Sequence, residues 1–392
     1  MRLAINGFFC HQGGTGSEQY TQQLLNGLAR REDGPRCLLI TPQKGGHTRL
    51  SEPTAQTIAQ LSLMPPVPLG SDLSKVWFEQ MSFPRACLAE DVQVAHVPYF
   101  APPLLAADRT VVTIHDLIPL ILPSYRGSAL VRLYTRLVSF AARRAAAIIT
   151  DSYASQRDIL QRLGVSPDVV HVIYLAADSS YRSVTDVEKL RRLRARYGLP
   201  EQYILYLGGF DQRKNLSTLL SAYGLLDAEL AATMPLVIAG RLPHEDSDFF
   251  PDPRPRVERA GLEEKVVFTG WVAEEDKPAL YSSAALFVFP SLYEGFGLPV
   301  LEAMSCGTAV VTSRRASLPE IAGDGARFVD PLDPSALAQA MSDLLRDPAQ
   351  RRELAQRGLL RAQHFSWEQA ISQTMQVYES VALRRAPRLR PG

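Results

Sequence analysis

The chain has 392 residues, 46% hydrophobic, 21% charged and 8% aromatic, a composition that excludes a disordered or fibrous protein and a length that suggests two domains. Lys+Arg 42 against Asp+Glu 41 leaves a formal net charge of +1, so no global field points to nucleic acid as a partner. The four cysteines, Cys10, Cys37, Cys87 and Cys306, lie far apart and form no CxxC pair, which speaks against a disulfide framework or a zinc site.

No window approaches the roughly 20 uninterrupted apolar residues needed to span a bilayer. The opening Met1–Gly7 is broken by polar residues too early for a signal peptide and reads as a first strand. The expectation is a cytoplasmic protein with no metal and no other cofactor.

In chain order, short apolar runs alternate with helical periodicity, the pattern of parallel sheets covered on both faces. In the first half the predicted strands are Leu3–Asn6, Cys37–Thr41, Val94–Val97, Thr110–Ile114, Ala147–Thr150 and Val170–Ile173, with helices over Glu18–Arg31 and Leu130–Arg144. In the second half they are Tyr203–Leu207, Leu236–Ala239, Val266–Thr269, Leu286–Phe289, Ala309–Thr312 and Ala326–Val329. Helices are expected over Asn215–Leu225, Lys277–Ser283, Pro299–Cys306 and Pro334–Leu345. The repeated rhythm predicts two Rossmann-like α/β domains, 1–182 and 183–366, joined through polar Ser179–Asp186 and an Arg-rich helix over Val187–Tyr197. A final helix over 367–385 is expected to pack back on the first domain, and 386–392 is a basic tail.

Several stretches carry residue types suited to ligand chemistry. Gly14, Thr15 and Gly16 open the first helix like the start of a GxGxxG loop, but Gln19 stands at the third glycine position and no acid follows the second strand. A nicotinamide site is therefore poorly supported, and a loop whose amides face a phosphate or sugar remains. His115 and Asp116 follow a strand, either at the mouth of a site or as a structural histidine beside a turn-bonding aspartate. Asp151-Ser152 reads as a helix N-cap.

In the second half, Gly208-Gly209 ends a strand and Arg213-Lys214 precede a helix, where the helix dipole disfavours cations unless an anion joins them. That placement suits a diphosphate, with Arg213 as a fork and Lys214 as a point charge, against the alternative of two merely solvated cations. Glu294-Gly295-Phe296-Gly297-Leu298 then runs into a helix whose first turn holds Pro299 and whose body holds Glu302. Amides of Phe296, Gly297 and Leu298 at that helix start suit phosphate or hydroxyl oxygens. A plain Gly-rich turn is the alternative.

Taken together, these segments resemble the large retaining glycosyltransferase family numbered four, of the GT-B fold. The likeness runs through Gly13–Gly16, Thr113–Leu117, Gly208–Asn215, Gly270-Trp271-Val272, Tyr281–Ala284 and the Glu294–Glu302 E-x7-E spacing. Ala176-Ala177-Asp178 departs from the Gly-x-Asp frequent in that family. The resemblance implies a GT-B fold, two Rossmann-like domains facing each other across a cleft, with the first domain on the acceptor side and the second on the donor side. It implies transfer of a mannose- or glucose-type sugar, with retention, from a nucleotide diphosphate donor (GDP-mannose or UDP-glucose type). The acceptor would be a glycan, a lipid-linked sugar or a small molecule, in polysaccharide or glycolipid biosynthesis.

Carried over by residue, Arg213 and Lys214 neutralise the leaving diphosphate, Glu302 bonds the ribose and Glu294 positions the sugar. Gly209 lies in the diphosphate-binding turn. Amides of Phe296, Gly297 and Leu298 hold sugar hydroxyls, the Gly14–Gly16 loop closes over phosphates, and backbone near Val272 meets the base. His115 contacts the donor sugar, with Asp116 beside it. Two rivals stay open: an epimerase or hydrolase of nucleotide sugars, and a non-catalytic subunit that binds them. Arg126, Arg132, Arg136, Arg143 and Arg144, interleaved with apolar residues, leave peripheral contact with an anionic membrane face open against an ordinary helix with a solvated basic side.

Overall fold

The computed structural model describes residues 1–10, 16–42, 52–63 and 71–385, so Gly14, Thr15 and the 386–392 tail lie outside the described residues. The chain forms two compact units, Met1–Tyr174 together with Trp367–Gly392, and Leu175–Ser366. The junction falls ahead of the 182/183 boundary read from the sequence. The polar run Ser179–Asp186 is held by the second unit: Tyr181 donates its hydroxyl to Glu274 Oε1 at 2.5 Å and Val184 its N–H to Ser282 Oγ at 3.0 Å.

The first unit is built on a seven-stranded sheet of β1 (Arg2–Asn6), β2 (Arg36–Thr41), β3 (Ala59–Ser62), β4 (Val94–Val97), β5 (Thr110–Thr113), β6 (Ala147–Thr150) and β7 (Val170–Val172). The order is β3-β2-β1-β4-β5-β6-β7, every pair parallel. Every residue of β4, β5 and β6 is buried, His96, Thr110, Thr113 and Thr150 included, as expected for strands covered by helices on both faces. The sequence reading did not include β3. Ala-Gln-Leu-Ser lacks β-branched and aromatic residues and sits half-exposed at the sheet edge, so it carries no periodic apolar signal.

The last helix, Trp367–Arg385, belongs to this unit and packs on the helix Gly16–Ala29. Gly27 permits that approach, since a Cβ there would lie 2.4 Å from Ile371 Cγ1. A buried chain of polar groups ties the same helix to the sheet. Tyr378 Oη lies 2.6 Å from His96 Nδ1, His96 Nε2 lies 2.8 Å from Thr113 Oγ1, and Tyr20 Oη lies 3.1 Å from the same threonine oxygen.

The second unit carries a six-stranded parallel sheet: β8 (Ile204–Leu207), β9 (Leu236–Ala239), β10 (Val266–Gly270), β11 (Leu286–Phe289), β12 (Val310–Ser313) and β13 (Arg327–Val329). Its order is β10-β9-β8-β11-β12-β13. Both units are Rossmann-like, each winding outward from its first strand and then reversing, at β1/β4 in one sheet and β8/β11 in the other. Loops that leave the carboxyl ends of the two strands at such a reversal diverge and open a crevice there. In the second unit those are the loops that carry Arg213-Lys214 and Glu294.

Candidate active site

In the second unit, β8 delivers the 208–215 loop and β11 the 290–297 loop, side by side because the two strands pair directly. Leu292 N–H donates to Arg213 O at 2.8 Å and locks the loops together. Asn215 takes left-handed backbone (φ +57°) and donates Nδ2–H to Pro290 O at 3.1 Å and Pro331 O at 2.7 Å, which fixes the start of the helix Leu216–Gly224. Gly209 supplies a carbonyl that accepts the Tyr206 hydroxyl at 2.5 Å.

Three groups converge on one oxygen of Glu294. Lys214 Nζ, Arg213 Nη1 and Ser291 Oγ each lie 2.7 Å from Oε1, and among the described residues no hydrogen bond falls on Oε2. Arg213 Nη1 also donates to Tyr293 O at 2.9 Å, its Nε lies 3.4 Å from Asp211 Oδ1, and Lys214 Nζ sits 4.8 Å from the Phe289 ring centroid. Burial alone would raise the Glu294 carboxyl, but Lys214, Arg213 and the hydrogen bonds from Lys214 and Ser291 outweigh it and hold it below the usual range. The two cations are thus already engaged by carboxylates, a pairing absent from the sequence reading, which set them toward a diphosphate and Glu294 toward a sugar.

The turn after Glu294 is braced from below. Ser317 Oγ–H lies 2.9 Å from Glu294 O and 2.7 Å from Phe296 O. Gly297 has φ +107°, and a Cβ there would lie 2.7 Å from Leu318 Cδ2, so both the backbone conformation and the packing call for glycine. The helix Leu298–Ser305 follows, with Pro299 in its first turn and Glu302 on its buried side.

Glu302 Oε2 accepts the Tyr281 hydroxyl at 2.9 Å. Burial pushes its carboxyl up to about 7, against the opposing charge of Lys277 and the Tyr281 hydrogen bond. Val272 is buried just past the end of β10, beside exposed Trp271.

The first unit brings together a different set. His115 Nδ1 lies 2.6 Å from Asp151 Oδ2, and Ser155 Oγ donates to His115 O at 2.9 Å. Burial opposes a charge on the imidazole, yet Asp151, by charge and hydrogen bond, and Asp116, by charge, raise its pKa above the ordinary value. The Tyr20 ring meets the imidazole edge-to-face at 5.0 Å. Asp116 Oδ1 accepts Ile118 N–H at 3.0 Å, the turn-bonding role, and Gly16 is the first residue of its helix.

Of the pair Asp151-Ser152, Ser152 is the N-cap of the helix Tyr153–Leu163, accepting Ser155 N–H at 3.0 Å, while Asp151 is the partner of His115, a role the cap reading did not include. The signal was present, since His115 and Asp151 directly follow the strands Thr110–Ile114 and Ala147–Thr150 read from the sequence. The sequence reading gave Ser291, Ser317 and Tyr281 no part in holding the two glutamates. A single serine or tyrosine has no sequence pattern that separates it from surface polar residues.

Comparison with known proteins places these arrangements in context. Residues 14–181 match Glycosyltransferase Family 4 and residues 191–361 match Glycosyl transferases group 1. O-antigen chain mannosyltransferase B of Escherichia coli is 37% identical over 287 residues, which cover 73% of this chain and 74% of that protein. Serotype-specific mannosyltransferase WbdA of E. coli is 36% identical over 264 residues, 66% of this chain but 32% of that longer protein. Anabaena Alr3699/HepE, solved with UDP and glucose, superposes with a TM-score of 0.74 at 19% identity, covering 97% of this chain and 100% of that one, a likeness of fold. By these matches the chain belongs to the GT-B glycosyltransferases of the family 4 and group 1 type, enzymes that move a sugar from a nucleotide-sugar donor to an acceptor.

Proposed function

We propose that the chain is a retaining hexosyltransferase that moves a mannose-type sugar from a nucleotide diphosphate donor to a glycan or lipid-linked acceptor in polysaccharide or glycolipid synthesis. The observation that carries this reading is the posture of Glu294: Oε1 is pinned by Lys214, Arg213 and Ser291, and Oε2 is left for a sugar hydroxyl. The E. coli mannosyltransferase likeness favours mannose over glucose.

In this reading the second unit takes the donor and the first unit the acceptor. The diphosphate lies against Arg213 and Lys214, whose fixed charges stabilise the negative charge that builds as the anomeric C–O bond breaks. Glu302 holds the ribose, backbone near Val272 meets the base, and Gly209 lets the chain approach the phosphates. Amides of Phe296, Gly297 and Leu298 hold sugar hydroxyls. The acceptor oxygen bonds to the anomeric carbon on the face the phosphate leaves, and its proton passes to the departing phosphate oxygen. Glu294 positions the sugar and forms no covalent bond to it. His115 contacts the donor sugar and helps place the acceptor.

Incubation of the purified chain with GDP-mannose or UDP-glucose and a panel of mannoside acceptors tests this, with anomeric configuration read by NMR. A product with retained configuration that forms only with acceptor is expected. Donor consumed equally without acceptor points to an epimerase or hydrolase and overturns the reading. So does a covalent sugar on Glu294 formed fast enough to lie on the reaction path.

A further inference from the structure

The helix Ala129–Ala142 of the first unit is held by a narrow buried face, Val138, Ala141 and Ala142, with Ser128 as its N-cap. One flank of the helix, between that buried face and the arginines, is apolar where solvent would favour polar residues. Leu130 is 78% exposed, Leu133 63% and Phe140 52%, at i, i+3 and i+10, continuous with half-buried Leu137, whose other side packs on the core. Single exposed apolar residues are ordinary, but a contiguous stripe on one helix marks a contact surface.

The charges around the stripe identify the partner. Between Asp116 and Asp151 the sequence has five arginines, Arg126, Arg132, Arg136, Arg143 and Arg144, and no lysine or acid. Arg132, Arg136 and Arg143 follow one border of the stripe, and Arg144 lies over the Phe140 ring at 5.9 Å. Arg132 donates to Gly127 O at 2.9 Å, its own chain's backbone, so its charge stays uncompensated. A helix with an apolar stripe bordered by arginine alone fits a plane that is apolar below and anionic above. We infer that this helix docks the protein on an anionic lipid surface, with Leu130, Leu133 and Phe140 entering the acyl boundary and the arginines meeting headgroup phosphates. No described helix is long and apolar enough to cross a membrane, so the contact is peripheral. The inference rests on this surface and not on the transfer chemistry, and each can fail without the other.

Co-sedimentation of the full chain with vesicles of phosphatidylcholine containing phosphatidylglycerol, against vesicles of phosphatidylcholine alone, tests it without donor or acceptor. Binding to the anionic vesicles only, weakened by added salt, is expected. The triple variant R132Q/R136Q/R143Q should lower partitioning on the order of a hundredfold, about fivefold per arginine. L133S/F140S should lose binding at unchanged far-UV circular dichroism. No sedimentation, or equal sedimentation with both vesicle types, overturns the inference. So does a dimer by light scattering that L133S/F140S dissolves, because the stripe would then be covered by a second copy.

Discussion

Asp151 Oδ2 lies 2.6 Å from His115 Nδ1, joining residues that follow the neighbouring strands β6 and β5. In the sheet Thr113 pairs with Ile149, so two residues further on His115 and Asp151 stand level. The carboxylate orients the imidazole and stabilises its protonated form.

Asp151→Asn should therefore lower the His115 pKa, read from the imidazole NMR titration, and reduce turnover while the fold persists. Because the folded pKa is raised, the stability from this pair is fully present below the ordinary value of 6.5 and is lost as pH rises through the folded value. An unchanged midpoint in Asp151→Asn would show that the carboxylate does not tune the ring.

Lys214→Ala should cut kcat by on the order of 10²–10³, the scale for loss of one preorganised charge donor. Its thermal stability should change little, since Arg213 and Ser291 still hold Glu294 Oε1. Steady-state kinetics beside a melting curve separates the two effects. A large loss of stability would make Lys214 structural.

Glu294→Gln keeps the side chain's shape but leaves Lys214 and Arg213, both largely buried, without their shared carboxylate. Removal of one partner from a buried ion pair costs roughly 3–5 kcal/mol. Urea unfolding should show a loss toward the lower end of that range, because Asp211 remains near Arg213. Wild-type stability would mean that solvent already screens the cluster.

The Glu302 carboxyl, pushed up to about 7 from 4.5, makes the folded protein the better proton binder. Its contribution is complete below about pH 4.5 and fades as pH rises through about 7, on the order of 3 kcal/mol in all. Glu302→Gln should flatten the stability profile between those pH values. Parallel profiles for variant and wild type would assign the slope to other groups.

Tyr378→Phe should cost about 1–3 kcal/mol, because it strips His96 Nδ1 of its partner in a fully buried setting. Burial, with the nearby His115 charge, holds the His96 imidazole down at about 3, so protonation cannot relieve the loss near neutral pH. Chemical denaturation reads the difference directly.

Much of this architecture was legible from residue order alone. The runs Val94–Val97, Ala147–Thr150, Leu236–Ala239 and Leu286–Phe289 are strands with the bounds read from the sequence, because strands buried on both faces read as largely apolar runs. Val187–Tyr197 was equally plain, since Asp186 caps it and Gly198 ends it. Edge strand β3, half-exposed, had no such constraint and left no pattern.

The sequence by itself determined the alternation of elements, the glycine turns and the candidate cations and acids, because these depend on local conformation and on burial periodicity. The tertiary structure alone decided which of them meet. Lys214 reaches Glu294, and Asp151 reaches His115, through strand pairing that brings together residues 80 and 36 positions apart. The serines and tyrosines that fix each carboxylate were settled only there, because a hydrogen bond depends on distance in space and leaves no mark on the order of residues.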